Sequence, residues 1–325
     1  VKAGGMLAVY SLTVKNGSVA VSNDFADSLK NYYDNPVNVT NKANILDQDN
    51  GDVIVQLASA DNVDESGALT LVDVNGNPVG ATQTVGIKEG GDLVADGTYG
   101  LGISTSNDDG DKGIFVAYKL NKLEIYDGKT LTLDNDGASD TKLTAELSDK
   151  TQNGSIAVNA NGSSITIANE NNSYTGSTTV NSGTLVVGSN NALGNTSALV
   201  VKGASKVDVN GKSQTVGILS VNDGGLLDIN KGALTVTDGG LVSGDGAIVA
   251  EEGSTLAVSG AGNAGAPDDS KTLVVDGANA GFEGAAEISG NGRIEINHVA
   301  GLIIGILGSY SILSTFFDIF PNVGH

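Results

Sequence analysis

The sequence predicts an all-β protein whose middle winds into a parallel β-helix (a β-solenoid), with a less regular β portion before it and a short apolar tail after it. Three observations lead there. Short runs of alternating Val, Ile, Leu and Thr, such as "DVIVQLAS", "KTLTLDNDG", "TLVVGSNN" and "ALTVTDGG", are broken by Asn-Gly, Asp-Gly or Gly-Gly about every ten residues. Helical periodicity is nearly absent. Several segments restate one another, which a solenoid requires and a sandwich does not, because stacked coils meet copies of themselves. The expected division is an irregular β region over 1–170, β-helix rungs over 171–297 and an apolar tail over 298–325.

Composition agrees with that reading. Gly accounts for 46 of 325 residues, aromatics for only 4%, and Trp and Cys are absent. Cores of the usual kind lean on Leu and aromatic side chains, whereas small β-branched residues dominate here. With 38 acidic against 17 basic residues and a net charge of -21, nucleic acid and anionic membrane surfaces are excluded as partners, since both demand a basic face. Without cysteine there is no disulfide framework and no thiol nucleophile. Stability then has to come from a long repetitive hydrogen-bond ladder.

Taken in chain order, "VKAGGMLAVYSLTVKNG" lacks the cationic region and apolar run of a signal peptide. Residues 22–33, "SNDFADSLKNYY", form the one stretch with a helical pattern: Asn23 or Asp24 would cap it, with Phe25, Leu29 and Tyr32 on one face. "QTVGIKEGGDLV" at Gln83 to Val94 recurs as "QTVGILSVNDGGLLDI" at Gln214 to Ile229. The module Gly-x-Leu-x-Val, starting at Gly183, Gly232 and Ser254, is spaced for coils of about twenty residues.

Between Ser173 and Asn195 the chain carries no charge for 23 residues. Stacked coils bring like positions together every ~4.8 Å, where like charges repel. Val180, Leu185 and Val187 are expected to fill the interior, with Thr178, Thr179 and Thr184 facing outward. Asn supplies corner residues that tolerate left-handed backbone and ladder their amides, while Gly183, Gly188 and Gly194 allow positive φ.

These residues carry a resemblance. "NNSYTGSTTVNSGTLVVGSNNALGNTSALVV", Asn171 to Val201, resembles the passenger-associated strand repeat of bacterial autotransporters (type V secretion), matching at Tyr174, Thr175, Gly176, Thr178, Val180, Gly183, Leu185, Asn190, Ala192, Leu193 and Gly194. Leu234 to Gly260 resembles the rungs that follow such repeats, and Gly97 to Asp134 a segment that precedes them in adhesin-like passengers of the AIDA and antigen-43 kind. The resemblance implies a right-handed β-helix passenger, exposed on the surface of a Gram-negative bacterium or released from it. Such passengers serve adhesion, self-aggregation or biofilm growth, with other cells, host surface glycans or proteins and further copies as partners. It also implies a signal peptide before the passenger and an autochaperone with an outer-membrane translocator barrel after it. Neither pattern is present here, so the chain is expected to be a fragment of such a passenger.

The tail segment Val299 to Phe317, "VAGLIIGILGSYSILSTFF", is uncharged for 19 residues. It passes the length test for a membrane-spanning helix, but also suits a cap over the last rung or an out-of-frame end.

Catalysis is not expected. The only histidines, His298 and His325, lie in no catalytic motif, and "SGDG" at Ser243 to Gly246 has the wrong order for a serine-protease nucleophile. A single arginine, Arg293, argues against a lyase, and the leading enzymatic alternative is a carbohydrate hydrolase built on an Asp pair such as Asp268 and Asp269. A truncated product without a working role is the remaining alternative. "DQDNGD" (47–52), "NDDGD" (107–111) and "DNDGASD" (134–140) are dense in oxygen ligands but lack the EF-hand spacing, so they read as turns. The closely spaced glycines from Gly90 to Gly102 are followed by no helix that would hold a phosphate. No catalytic, cofactor-binding or metal-binding residue is therefore expected, and no cofactor.

Overall fold

Where polar and β-branched residues alternate and every tenth residue or so breaks the run, backbone hydrogen bonds have to be found between strands rather than within a helix. The structure, a computed structural model, describes residues 7–23, 53–80, 82–106, 111–135, 140–258, 272–276, 281–289 and 293–297. The chain divides into two compact units, residues 1–90 with 96–123, and residues 91–95 with 124–325. The helix expected over 22–33 lies from residue 24 onward outside the described residues, as does the whole tail from His298.

The first unit is built on β1 (Leu7–Ala20), β2 (Val53–Val72), β3 (Thr82–Glu89), β4 (Asp92–Ser106) and β5 (Lys112–Ile125), in the sheet order β1-β2-β5-β4-β3. Here β1 runs parallel to β2, and β2 antiparallel to β5. Val21, Leu57, Leu71, Val79 and Val116 form one buried core cluster of this unit, with Leu101, Ile103 and Ile114 packed against them.

The second unit is a parallel β-solenoid. Its first coil holds β6 (Thr130–Asp134), β7 (Thr141–Leu143) and β8 (Glu146–Asp149), followed by β9 (Ser155–Ile167) and β10 (Ser177–Val187). Next come β11 (Ala198–Val201), β12 (Lys206–Asp208) and β13 (Ser213–Val216), then β14 (Ile218–Val221), β15 (Leu226–Asp228) and β16 (Ala233–Val236). The last coils carry β17 (Gly240–Ser243), β18 (Ala247–Val258), β19 (Thr272–Asp276), β20 (Gly281–Ser289) and β21 (Arg293–Asn297). Apart from β8, which pairs with β5, the strands pair in parallel with counterparts about one coil away. One face runs through β6, the first half of β9 and of β10, β11, β14, β17, β19 and β21. A second runs through β7, the later halves of β9 and β10, β12, β15 and β18, and a third through β13, β16 and the end of β18. The parallel stack thus already includes Thr130–Asp134, well before the boundary expected at residue 171.

Inside, like stacks on like. Leu133, Val158, Val180, Val201, Val221 and Val242 form one fully buried column, and Ile165, Leu185, Val207, Leu227 and Ile248 another. Each such side chain contributes roughly 1.5–3 kcal/mol by leaving water. Val180, Leu185 and Val187 are interior as expected, and Thr179 and Thr184 point outward, half-buried.

Thr178 does not face outward. It is fully buried, because the alternation that puts Val180 inside also puts Thr178 inside, in the column of Ile156, Leu199 and Leu219. Its hydroxyl meets the Tyr174 hydroxyl at 2.7 Å and that of Thr196 at 3.0 Å, and Thr196 donates to the Gly176 carbonyl at 2.9 Å. Tyr174 is itself completely buried, and burial pushes its phenol far above the usual value, against the opposing effect of the Thr178 hydrogen bond. A tyrosine ring fits this apolar interior only if its hydroxyl finds a partner.

Corners rely on left-handed backbone. Asn161, Asn191, Asn210 and Asn230 all have positive φ, as do Gly183 and Gly194. Gly188 does not need it. A Cβ there would stand 2.7 Å from the Thr166 methyl and 2.8 Å from Ala168 Cβ, so closeness to the preceding coil, not dihedral freedom, requires glycine.

The repeated "QTVGI" is used in two ways. Within continuous β3 both Val85 and Ile87 are buried. In the second copy Gly217 occupies a corner between β13 and β14, the alternation resets, and Ile218 emerges 48% exposed while Val216 stays inside. The Gly-x-Leu-x-Val modules at Gly232 and Ser254 do stack on successive coils of the third face, but the one at Gly183 lies on the second.

Replacing Tyr174 by Phe would remove one of the two hydroxyl partners of the buried Thr178, and we expect a loss of about 0.5–1.5 kcal/mol in urea unfolding of the chain. Adding Thr178→Val to that variant should recover part of it. Because the folded phenol titrates above the unfolded value of ~10, its stabilising term is whole below that pH and declines as pH rises beyond it. The urea midpoint should accordingly fall above pH ~10 more steeply in the parent chain than in Tyr174→Phe.

Candidate functional site

Outward positions divide unevenly by charge. On the first face, Thr132, Ala157, Thr179, Val200, Ser220, Leu241 and Val274 are register neighbours in one unbroken column. Beside it runs Thr130, Ser155, Ser177, Ala198 and Ile218. Neither column carries a charge from β6 to β19, in a chain of net charge -21. Leu241 and Ile218 stand 44% and 48% exposed. The register places Glu295 next after Val274, so the neutral run ends at β21.

The second face is different. Asp208 and Asp228 are direct register partners, and Lys206 lies beside both, with Nζ 2.8 Å from Asp228 Oδ2 and 4.0 Å from Asp208 Oδ2. Asp208 Oδ1 accepts from the Asn210 backbone at 2.8 Å and from Asn230 Nδ2 at 2.9 Å, and Asp228 Oδ1 accepts from the Asn230 backbone at 3.1 Å. This is the kind of carboxylate pair on adjacent coils that a hydrolase would use. Here both members hold corners and share an ammonium. Asp268 and Asp269, the pair singled out in the sequence, lie outside the described residues, as do His298 and His325.

Side-chain amides take over where the third face lacks strands. Asn172 Oδ1 accepts from the Leu147 backbone at 2.8 Å while its Nδ2 donates to the Ala192 carbonyl at 2.7 Å. Gln214 is buried in a column continued by Leu234 and Leu256, and its Oε1 accepts from the Leu193 backbone at 3.0 Å. An amide ladder also forms, with Asn181 Nδ2 donating to Asn159 Oδ1 at 3.1 Å.

The motif residues around Tyr174 are all architectural. A Cβ on Gly176 would stand 2.4 Å from the Gly154 carbonyl oxygen, and one on Gly194 would stand 3.1 Å from the Tyr174 ring. Asn190 Oδ1 accepts from the Ser213 backbone at 2.9 Å, and Ala192 and Leu193 are buried. Asp149 accepts from the Gly154 backbone at 2.8 Å and from the Thr175 backbone and hydroxyl, closing a corner between coils.

Of the three acidic clusters, 47–52 lies outside the described residues. Residues 107–110 and 136–139 of the other two also lie outside the described residues; of what is described, Asp140 accepts from the Ser164 backbone at 2.8 Å and Asp134 from Asn161 Nδ2 at 3.4 Å, both bonds reaching another coil. No group of three His, Cys, Asp or Glu residues is arranged to hold a metal among the described residues. Gly90 and Gly91 form the turn between β3 and β4, and a strand follows them.

Sequence reasoning placed no site in the first unit and read "NDDGD" (107–111) as a turn, yet a cleft of about 560 Å³, with Asp111 in its lining, opens there on β1, β2 and β5. Ala8, Tyr10, Gln56, Ser59, Asp61 and Lys112 line it together with Ala60 and Asp111. The register brings Ala8 beside Ser59, Ser59 beside Gly113 and Ala60 beside Lys112. Tyr10 is 76% exposed at this cleft, and no motif marked it in the sequence because its neighbours come from strands more than forty residues away.

Among curated proteins, the chain is 32% identical over 280 residues to the uncharacterized lipoprotein YdeK of Escherichia coli (strain K12), an alignment covering 83% of this chain and 19% of that protein. It is 31% identical over 202 residues to the uncharacterized protein YuaQ of the same organism, covering 61% of this chain and 15% of that protein. The chain therefore spans less than a fifth of either relative's length. No family profile matches the chain, and no solved structure matches it.

Lys206 holds two carboxylates that adjacent coils force together. Lys206→Met should destabilise the chain by about 1 kcal/mol in dilute buffer, and by less in roughly 1 M salt, where the Asp208–Asp228 repulsion is screened. Urea midpoints at the two ionic strengths check this.

Proposed function

We propose that this chain is the solenoid-bearing part of a bacterial surface protein that acts by contact rather than by catalysis, in adhesion and self-aggregation, as in the autotransporter passengers that Asn171 to Val201 resembles. The observation that carries this reading is the pair of neutral columns on the first face, which run beside an outer edge that begins at Asp134. Elsewhere the acidic surface keeps copies apart, whereas two first faces meet with little like-charge repulsion, offering Thr and Ser hydroxyls and the exposed Leu241 and Ile218 side chains. A lipoprotein among the relatives supports a membrane-associated or surface location in a Gram-negative cell.

The size of the face sets the strength of the contact. Seven coils at ~4.8 Å and a strand width of roughly 15 Å give about 500 Å² per copy, below the ~800 Å² per partner of a standard stable complex. Single contacts are then weak, and holding power comes from many copies displayed on one surface. No pocket on the solenoid faces enters this mechanism.

Beads coated with the purified chain should clump, and the double variant Thr179→Asp, Leu241→Asp, whose positions are not register neighbours and so stack no like charges, should abolish the clumping while leaving the fold's circular dichroism intact. An aspartate placed at Thr166, on the second face and in register with Lys142, should leave clumping within about twofold, because charge at that level is already present and matched. Equal loss from both variants, or loss from neither, would refute the role of the first face.

A further inference from the structure

The cleft on the first unit has a chemistry that the contact faces of the solenoid lack. Its volume of about 560 Å³ falls in the range of roughly 300–1,000 Å³ typical of small-ligand sites. Among the described residues its lining is mostly polar: Gln56, Ser59, Asp61, Asp111 and Lys112 share it with Tyr10, Ala8 and Ala60. The chain has only 8 Tyr, 6 Phe and no Trp. Tyr10 is nonetheless left 76% exposed at this polar cleft, where it contributes little to any core.

A ligand complementary to such a cleft needs a flat apolar face to lie on the ring and a rim of groups that both donate and accept hydrogen bonds. Carboxylates only accept, an ammonium only donates, and amide and hydroxyl groups do both. Sugar hydroxyls satisfy all three classes, and one face of a pyranose presents the C–H groups that pack on an aromatic ring. Two carboxylates against one ammonium leave the lining net negative, which disfavours phosphates, uronic acids and other anions. A wholly apolar ligand would desolvate this polar lining and give it no hydrogen bonds in return.

We propose that this cleft binds a neutral saccharide, with one pyranose ring stacked on Tyr10 and its hydroxyls bonded to Asp61, Lys112 and Gln56. The site is separate from the neutral solenoid face, and each can fail without the other. Contact between copies uses Thr179, Val200 and Leu241, while sugar binding uses Tyr10 and its neighbours. A surface protein with both would join cells to one another and to a polysaccharide coat.

The test is to probe the full chain against an array of neutral and acidic oligosaccharides, one arm drawn from bacterial surface polysaccharides and one from animal-type glycans, and to titrate the best ligand by calorimetry. Neutral sugars should bind and acidic ones should not, with the responding arm identifying the source. Tyr10→Ala should weaken binding about tenfold or more, Tyr10→Phe should keep it within about threefold because the ring remains, and Asp61→Asn should weaken it about tenfold. Tyr10 is exposed, so these variants fold, which the circular dichroism of each would verify. The solenoid variant Thr179→Asp, Leu241→Asp should bind sugar as the parent does. Absence of any neutral ligand, a preference for acidic sugars, or affinity unchanged in Tyr10→Ala would overturn the proposal.

Discussion

One constraint governs the second unit: each backbone segment must satisfy its hydrogen bonds on the coil before and the coil after, about 4.8 Å away on each side. Everything else is a consequence of that spacing. Inward residues must resemble those above and below them, which yields the Val and Ile/Leu columns through Val180 and Leu185. Outward charges must be rare or matched, as Lys206 matches Asp208 and Asp228. Corners must close in a few residues, which calls on Asn and Gly with positive φ. Where a face has no strand, a buried amide such as Asn172 takes the backbone's place.

The fold was largely legible in advance because this constraint writes itself into composition. Period-two runs, Gly and Asn at regular intervals and a neutral coil all reflect the same stacking. What escaped sequence reading was local phase. Thr178 was assigned outward from its polarity, but its position two residues before Val180 forces it inside, where Tyr174 provides the hydroxyl that makes a polar residue acceptable. "QTVGI" was taken as a repeat of one structure, whereas Gly217 turns a corner and Gly86 does not. Alternation can be counted along a strand, but a corner resets the count, and corners are set by close approach to the neighbouring coil.

The candidate surfaces were harder still to foresee. A neutral column such as Thr132, Ala157, Thr179, Val200 and Ser220 is assembled from residues about twenty positions apart, and each looks ordinary in its own strand. The cleft at Tyr10 joins β1, β2 and β5 across still longer separations. By contrast, the residues most conspicuous in the sequence, the motif around Tyr174, are buried or hold corners. Conspicuous spacing here marks architecture, and the surfaces for recognition arise from register.

Coils that resemble one another raise a difficulty of their own, since a strand displaced by a whole turn would find nearly the same partners and nearly the same burial. The linked hydroxyls of Tyr174, Thr178 and Thr196 break that degeneracy. Shifted up or down by one level, Thr178 would present its hydroxyl to aliphatic neighbours and the phenol would lose its acceptor. This polar knot serves as an index mark, giving an otherwise translationally ambiguous stack a position from which its levels are numbered.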